Sequence, residues 1–118
     1  MISYDDFAKL DIRIGTIRSV DVVPDADKLL KLEVDFGEVI ESEAGPTPVV
    51  RQIISGIRTY FEDPQTLVGT QCPFLVNLEP RVIRGFESQG MILAASTPEG
   101  GFALLRPHTE MPTGTKIK

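Results

Sequence analysis

A chain of 118 residues, 42% hydrophobic and 25% charged, is long enough for one domain with a continuous core and too apolar for a disordered segment. Its longest apolar runs, such as Met91 to Ala95, fall far short of the roughly 18 to 20 residues of a membrane span, and Met-Ile-Ser-Tyr-Asp-Asp has neither region of a secretory leader, so a cytoplasmic location without membrane contact is expected. Twelve Lys and Arg against seventeen Asp and Glu give a net charge of −5, which excludes a broad basic footprint for a polyanion.

Ser3-Tyr4-Asp5-Asp6 has the Ser-x-x-acid spacing of a capping box, and Phe7 and Leu10 follow as apolar anchors, which predicts one or two helical turns plugging an end of the core. From Asp11 to Val23 the apolar positions run Ile12, Ile14, then Ile17, Val20 and Val22, so the spacing predicts a long bent strand with a bulge, its phase shift at Gly15. Pro24-Asp25-Ala26-Asp27 reads as a turn. Beyond it, Leu30, Leu32, Val34 and Phe36 alternate with Lys31, Glu33 and Asp35 in a strand with one apolar face.

Glu33 to Glu43 holds five acids and no Lys or Arg, which leaves twelve acids against twelve bases elsewhere, so the acidity is local. Gly37 to Pro48 reads as an exposed acidic hairpin loop, with a strand from Pro48 to Ser55. Asp63-Pro64 supplies a cap and a proline at the first helical position, predicting a short helix before Gly69. Gln71 to Asn77, Gly90 to Ser96 and Phe102 to Leu105 complete the strands. Five or more short strands with a helix between the third and fourth is the pattern of an all-β OB-fold, a five-stranded Greek-key barrel that binds through its loops and one strand face, although periodicity alone does not separate it from other small barrels. Residues 1–118 then form a single domain. Arg106 to Lys118 reads as an extension added to the barrel, and Ile117 near its end is best used where a partner subunit covers it.

Between Asn77 and Ala95 an amide, two arginines, a hydroxyl and two glycines precede an apolar strand. This stretch, with Phe7 to Gly15, Pro24 to Leu29 and Arg51 to Ile57, resembles the tRNA-binding domain appended to methionyl-tRNA synthetases and also found as a small stand-alone bacterial protein. The resemblance implies an OB barrel that grips tRNA by shape, without catalysis, and a homodimer formed through the C-terminal extension at 106–118. It also implies a methionyl-tRNA synthetase catalytic domain as an associate. Carried over residue by residue, binding falls on Lys28, Ser88 and Met91, with Asn77, Arg81 and Arg84 as helpers in the same loop. Lys28 can place a charge on a phosphate, Ser88 can bond a ribose hydroxyl, Asn77 offers a donor and an acceptor, and Arg81 and Arg84 stand on either side of a turn.

Each has a plainer reading: Lys28 paired to Asp25 or Asp27, Ser88 or Asn77 satisfying its own turn, Met91 filling the core. Arg13 and Arg51 are expected to pair with surface acids. Two positions depart from the family pattern, Val23 where a histidine is common before Pro-Asp, and the long acidic 38–48 loop.

Chemistry of other classes finds little support. Gly85-Phe86-Glu87-Ser88-Gln89-Gly90 puts two residues between glycine and serine, not the one of a nucleophile elbow. Cys72 is single and expected in the core, His108 lies in a proline-rich turn, and Asp25 and Asp27 are better read as turn carboxylates, so neither metal nor cofactor is expected. The rival binding class is a CsaA-like peptide-binding secretion chaperone, which resembles the same barrel and dimer; the intact Ser88 to Ala95 run favours tRNA.

Overall fold

Alternation along Leu30 to Phe36 sets the core. In the computed structural model, which describes all 118 residues, these four apolar side chains are buried while the residues between them remain accessible. The elements run α1 (Tyr4–Ala8), β1 (Ile12–Val22), β2 (Leu30–Ser42), β3 (Gly45–Ser55), 3₁₀ turns at Arg58–Tyr60 and Pro64–Leu67, β4 (Gln71–Leu75), β5 (Arg81–Ile83), β6 (Phe86–Ser88), β7 (Met91–Ile92), β8 (Ala94–Ser96) and β9 (Phe102–Leu104). β3-β2-β1-β4-β7 form one antiparallel sheet curled into an OB-like half-barrel around Ile17, Leu32, Ile53, Leu67 and Phe74.

β1 serves two neighbours in turn. Ile12 to Thr16 pair with β4 and Thr16 to Val22 with β2, and the register slips between Ile17 and Ser19. The bulge thus lies at Arg18, not at Gly15. Gly15 is there for a different reason, because a Cβ on it would stand 2.5 Å from Val34 Cγ1 and 2.6 Å from Phe36 Cε1. Leaving out that side chain lets β1 cross β2 closely enough to bend.

The acidic region is not a loop. β2 continues to Ser42 and β3 begins at Gly45, so the two form a projecting hairpin in which Val39 faces Pro48 and Ser42 faces Gly45. The prolines at 46 and 48 misled the sequence reading; both sit on β3, whose outer edge carries no strand ladder that would need their N–H. Ser3 forms the expected reciprocal capping box with Asp6, but no residue of α1 is buried, so the helix does not plug the core. The turn at Pro64–Leu67 has its Asp63 cap as expected, in 3₁₀ form.

The first half of β1 is free on its β2 side because β2 diverges beyond Asp35. The C-terminal segment fills that edge. Ile14 donates to Thr115 O at 2.9 Å, Gly114 donates to Ile14 O at 2.8 Å, and Ile117 donates to Ile12 O at 2.8 Å. Pro73, with no N–H to give, sits opposite Ile14, whose N–H turns to this tail instead. Gln71 bonds Met111 in both directions, at 2.7 and 3.0 Å, and anchors the return. Residues 113–117 therefore lie along their own barrel, and Ile117 is already half-buried there.

Candidate functional site

From Arg81 the chain alternates about Arg84-Gly85, and the stretch expected as a loop is a tight two-residue hairpin. Arg81 faces Ser88, Val82 faces Glu87 and Ile83 faces Phe86. Both turn residues are left-handed, Arg84 at φ 52° and Gly85 at φ 84°, the geometry that matches the twist of the strands it joins. Arg84 is therefore in the turn, not beside it. A non-glycine residue in that region carries a cost of about 1–2 kcal/mol, and asparagine would fit more cheaply than arginine.

The hairpin lies across the outer face of β3. Ile53 points into the core, so alternation directs Ile54 outward, yet Ile54 is buried, covered by the Ser88 side of the hairpin. Polar bonds hold the cover down. Ser88, only 5% exposed, accepts from Ile54 N–H at 3.0 Å and donates to Gly90 O at 3.1 Å. Gln89 N–H donates to Gln52 O at 2.8 Å and Gln89 Oε1 accepts from Gln52 N–H at 2.9 Å, while the Gln52 amide donates to Glu87 O at 2.9 Å. These bonds close the barrel seam where no strand ladder does. Between hairpin and barrel remains a hollow of about 460 Å³, with Ile54, Leu78, Ile83 and Met91 as apolar walls and Glu79 and Arg81 at its edge.

On the far side of the seam, Arg51 donates to both oxygens of Glu38, at 2.7 and 2.9 Å, and to the carbonyls of Val76 and Gln89, at 2.7 and 3.2 Å. Its guanidinium lies over the Phe36 ring, 5.7 Å from the centroid. Hydrogen bonding from Arg51 holds the Glu38 carboxyl below its ordinary range despite partial burial. Arg13 does the same for Asp11, and Asp35 is lowered first by the Gly37 N–H and then by Arg18. Arg13 and Arg51 thus pair with acids as expected.

The molecule's four ion pairs engage Lys9, Arg13, Arg18 and Arg51. Eight cations remain unpaired; among them Lys31 packs on the hairpin that carries Arg81 and Arg84, and Lys28 adjoins Arg58 through the backbone. Arg58 N–H donates to Lys28 O at 3.2 Å; Lys31 stands over the Phe86 ring, its Nζ 5.1 Å from the centroid. The β1–β2 turn and the β4–β7 connection are the two loops through which OB-folds bind, and they flank the β2–β3 face.

The six residues singled out in the sequence divide by what their polar atoms already do. Lys28 is exposed and pairs with neither Asp25 nor Asp27. Arg81 and Arg84 are exposed and unpaired, and Met91, 46% exposed on β7, lines the hollow and does not fill the core. Ser88 and Asn77 are different. Ser88 is committed to the seam as described, and Asn77 accepts from Asp11 N–H at 2.9 Å and donates to Lys9 O at 2.7 Å, latching the start of β1 to the end of β4. Val23 is buried, so the position where a histidine is common faces the core here. The sequence did not single out Lys31, which packs on Phe86 from the outward face of β2, or the Gln52–Gln89 pair, both of whose members lie inside the motifs that carry the resemblance.

The family described as "Putative tRNA binding domain" matches residues 12–116. The chain is 42% identical over 118 residues to the methionine–tRNA ligase of Deinococcus radiodurans, a match covering 100% of this chain and 16% of that protein. It therefore spans a small fraction of the length of the curated relatives it matches. Among solved structures it is similar to the MetRS-related protein from Pyrococcus horikoshii, with a TM-score of 0.85 and 32% identity over 100% of this chain and 98% of the other. It is also similar to the chaperone CsaA from Bacillus anthracis, with a TM-score of 0.80 and 35% identity over 100% and 99% of the two chains.

Proposed function

The chain belongs to the tRNA-binding domain family, and we propose that its β5–β6 hairpin, its β1–β2 turn and the β3 edge between them form one surface that docks on the tRNA backbone by shape. On this reading the domain contributes affinity and no catalysis to a methionyl-tRNA synthetase, consistent with relatives in which it makes up 16% of the ligase. Two copies joined through the tail region would present two such surfaces, so that modest sites gain by effective concentration. The site of action is the cytoplasm. Lys28, Lys31 and Arg84 take phosphates, Arg81 donates to the RNA from the lining of the hollow, Met91 gives an apolar contact, and Ser88 and Asn77 hold the framework.

The observation that carries this reading is that Lys31, Arg81 and Arg84 stand unpaired on and against the hairpin, while Arg13, Arg18 and Arg51 are each engaged with an acid. A peptide-binding chaperone is the second reading, favoured by the 35% identity to CsaA over the whole chain. A gel-shift titration with unfractionated tRNA against an RNA duplex of equal length, at two salt concentrations, separates them. Preference for the folded tRNA is expected, and truncating any one phosphate-binding side chain to alanine should flatten the slope of log K against log salt by about 0.7 to 0.9. Equal affinity for duplex and tRNA, or no binding to either, would overturn the proposal.

A further inference from the structure

Of the unpaired carboxylates on this surface, Asp25, Asp27, Glu79 and Glu87, only Glu79 lines a cavity. It is exposed, it lines the hollow between hairpin and barrel, and the four ion pairs of the molecule leave both it and Arg81 unpaired although the two line the same cavity. A free carboxylate there weakens phosphate binding unless it meets hydrogen-bond donors on the ligand. RNA carries such donors on its bases and on ribose 2′-hydroxyls.

The hollow suits a base. Its volume of about 460 Å³ and its apolar walls at Ile54, Leu78, Ile83 and Met91 offer apolar surface for an unstacked ring, and Leu78 and Met91 are 45% and 46% exposed, available to be covered. Ser88, at the same site, has both functions of its hydroxyl engaged within the chain, so the polar selection falls on Glu79 and Arg81. Resting on the tRNA-binding reading, we infer that this hollow receives a single splayed-out guanine, with Glu79 accepting from its N1–H and N2–H and Arg81 donating on its O6 side.

The choice of guanine follows from the edges of the four bases. A carboxylate has two acceptor oxygens and no donor. Guanine alone sets two N–H donors side by side on its Watson–Crick edge; adenine and cytosine pair one donor with a lone pair, and uracil flanks one N–H with two carbonyls. Arginine in turn matches the O6 and N7 acceptors of guanine, where adenine presents an amino group. Shape would then bring the RNA to the surface, and one base would be read after docking.

The test is a ¹H–¹³C NMR titration of the whole chain with GMP, AMP, CMP and UMP, following the methyl signals of Ile54, Ile83 and Met91, beside a tRNA gel shift on the same preparation. GMP should move these methyls with about tenfold higher affinity than the other three, and Glu79→Gln should abolish the preference with the fold unchanged. Equal shifts with all four nucleotides, or a GMP preference that survives Glu79→Gln, would overturn the assignment. Silence from all four while tRNA still binds would sink the base pocket alone; failure of the unmodified chain to bind tRNA would instead sink the reading on which it rests.

Discussion

Replacing Arg51 by methionine removes the fork that clamps the barrel seam while keeping an apolar stem over Phe36. The substitution takes away two bonds to Glu38 and two to the carbonyls of Val76 and Gln89. Arg51 and Glu38 side chains are 26% and 36% exposed, so water screens the ion pair. Screening limits the pair to about 1 kcal/mol, and the two carbonyl bonds add about 1 kcal/mol each, so Arg51→Met should cost about 2–3 kcal/mol. For a domain of this size that lowers Tm by about 8–12 °C. The Glu38 share depends on pH. Its carboxyl is lowered in the folded chain, so the stabilisation is present above the unfolded pKa and fades as pH falls through the folded value. Urea unfolding at pH 7 and at progressively lower pH should therefore show the deficit shrinking in acid, by at most about 1 kcal/mol. A deficit below about 1 kcal/mol at pH 7, or one that does not change as the pH falls, would refute the clamp.

Arg84→Asn should stabilise the hairpin by about 0.5–1 kcal/mol because asparagine tolerates the left-handed turn better, yet weaken tRNA binding; a gain or loss in both together would contradict the division of roles. Ser88→Ala leaves Ile54 N–H without its acceptor at a buried site and should cost about 1–3 kcal/mol in denaturant unfolding, with the salt slope of tRNA binding unchanged. Asp11, Asp35 and Glu38 are all lowered in the folded state, so wild-type stability should hold above about pH 4.5 and decline below it; a flat profile to pH 3 would show that their partners contribute nothing. Deleting residues 113–118 strips three backbone bonds from β1 and should lower the stability of the monomer by about 2–4 kcal/mol as well as loosening any dimer, distinguishable by sedimentation against concentration.

What the sequence revealed depended on whether one period dominated. Leu30 to Phe36 alternate cleanly and their strand was legible, as were the Ser3 capping box and the Asp63-Pro64 turn, where a local rule suffices. The acidic segment failed because glycine and proline are signals for loops and for unpaired strand edges alike; only the absence of a ladder on the far side of β3 decides between them. At Ile117 the apolar residue near a chain end pointed to a covering surface, and the divergence of β2 from β1 supplies part of one within the chain, leaving Ile117 half-buried. What the motif could not show is what its polar atoms do within the chain. Ser88 and Asn77 bond across the seam and across the start of β1, because which carbonyl or N–H lies within about 3 Å is a property of the closed barrel.

A net charge of −5 and a polyanionic partner are compatible because the two signs are kept in different places. Each acid bonded to an arginine has its charge offset at short range, and for Asp11, Asp35 and Glu38 that offset lies within the same ion pair. Beyond a Debye length of about 8 Å at physiological salt, charges at the tip of the projecting acidic hairpin are largely screened from a polyanion on the proposed surface. On the hairpin and the β1–β2 turn themselves, the unpaired cations Lys28, Lys31, Arg58, Arg81 and Arg84 act against the exposed carboxylates of Asp25, Asp27, Glu79 and Glu87. It follows that raising salt should weaken binding with a slope set by those few cations and not by the net charge. It also follows that neutralising Glu41 and Glu43 at the tip of the acidic arm should speed association at low salt while leaving affinity at about 0.15 M salt nearly untouched. An equal gain in affinity at both ionic strengths would mean that the arm reaches the RNA, and that the docking surface extends to an edge of the barrel on which no unpaired cation of the cluster lies.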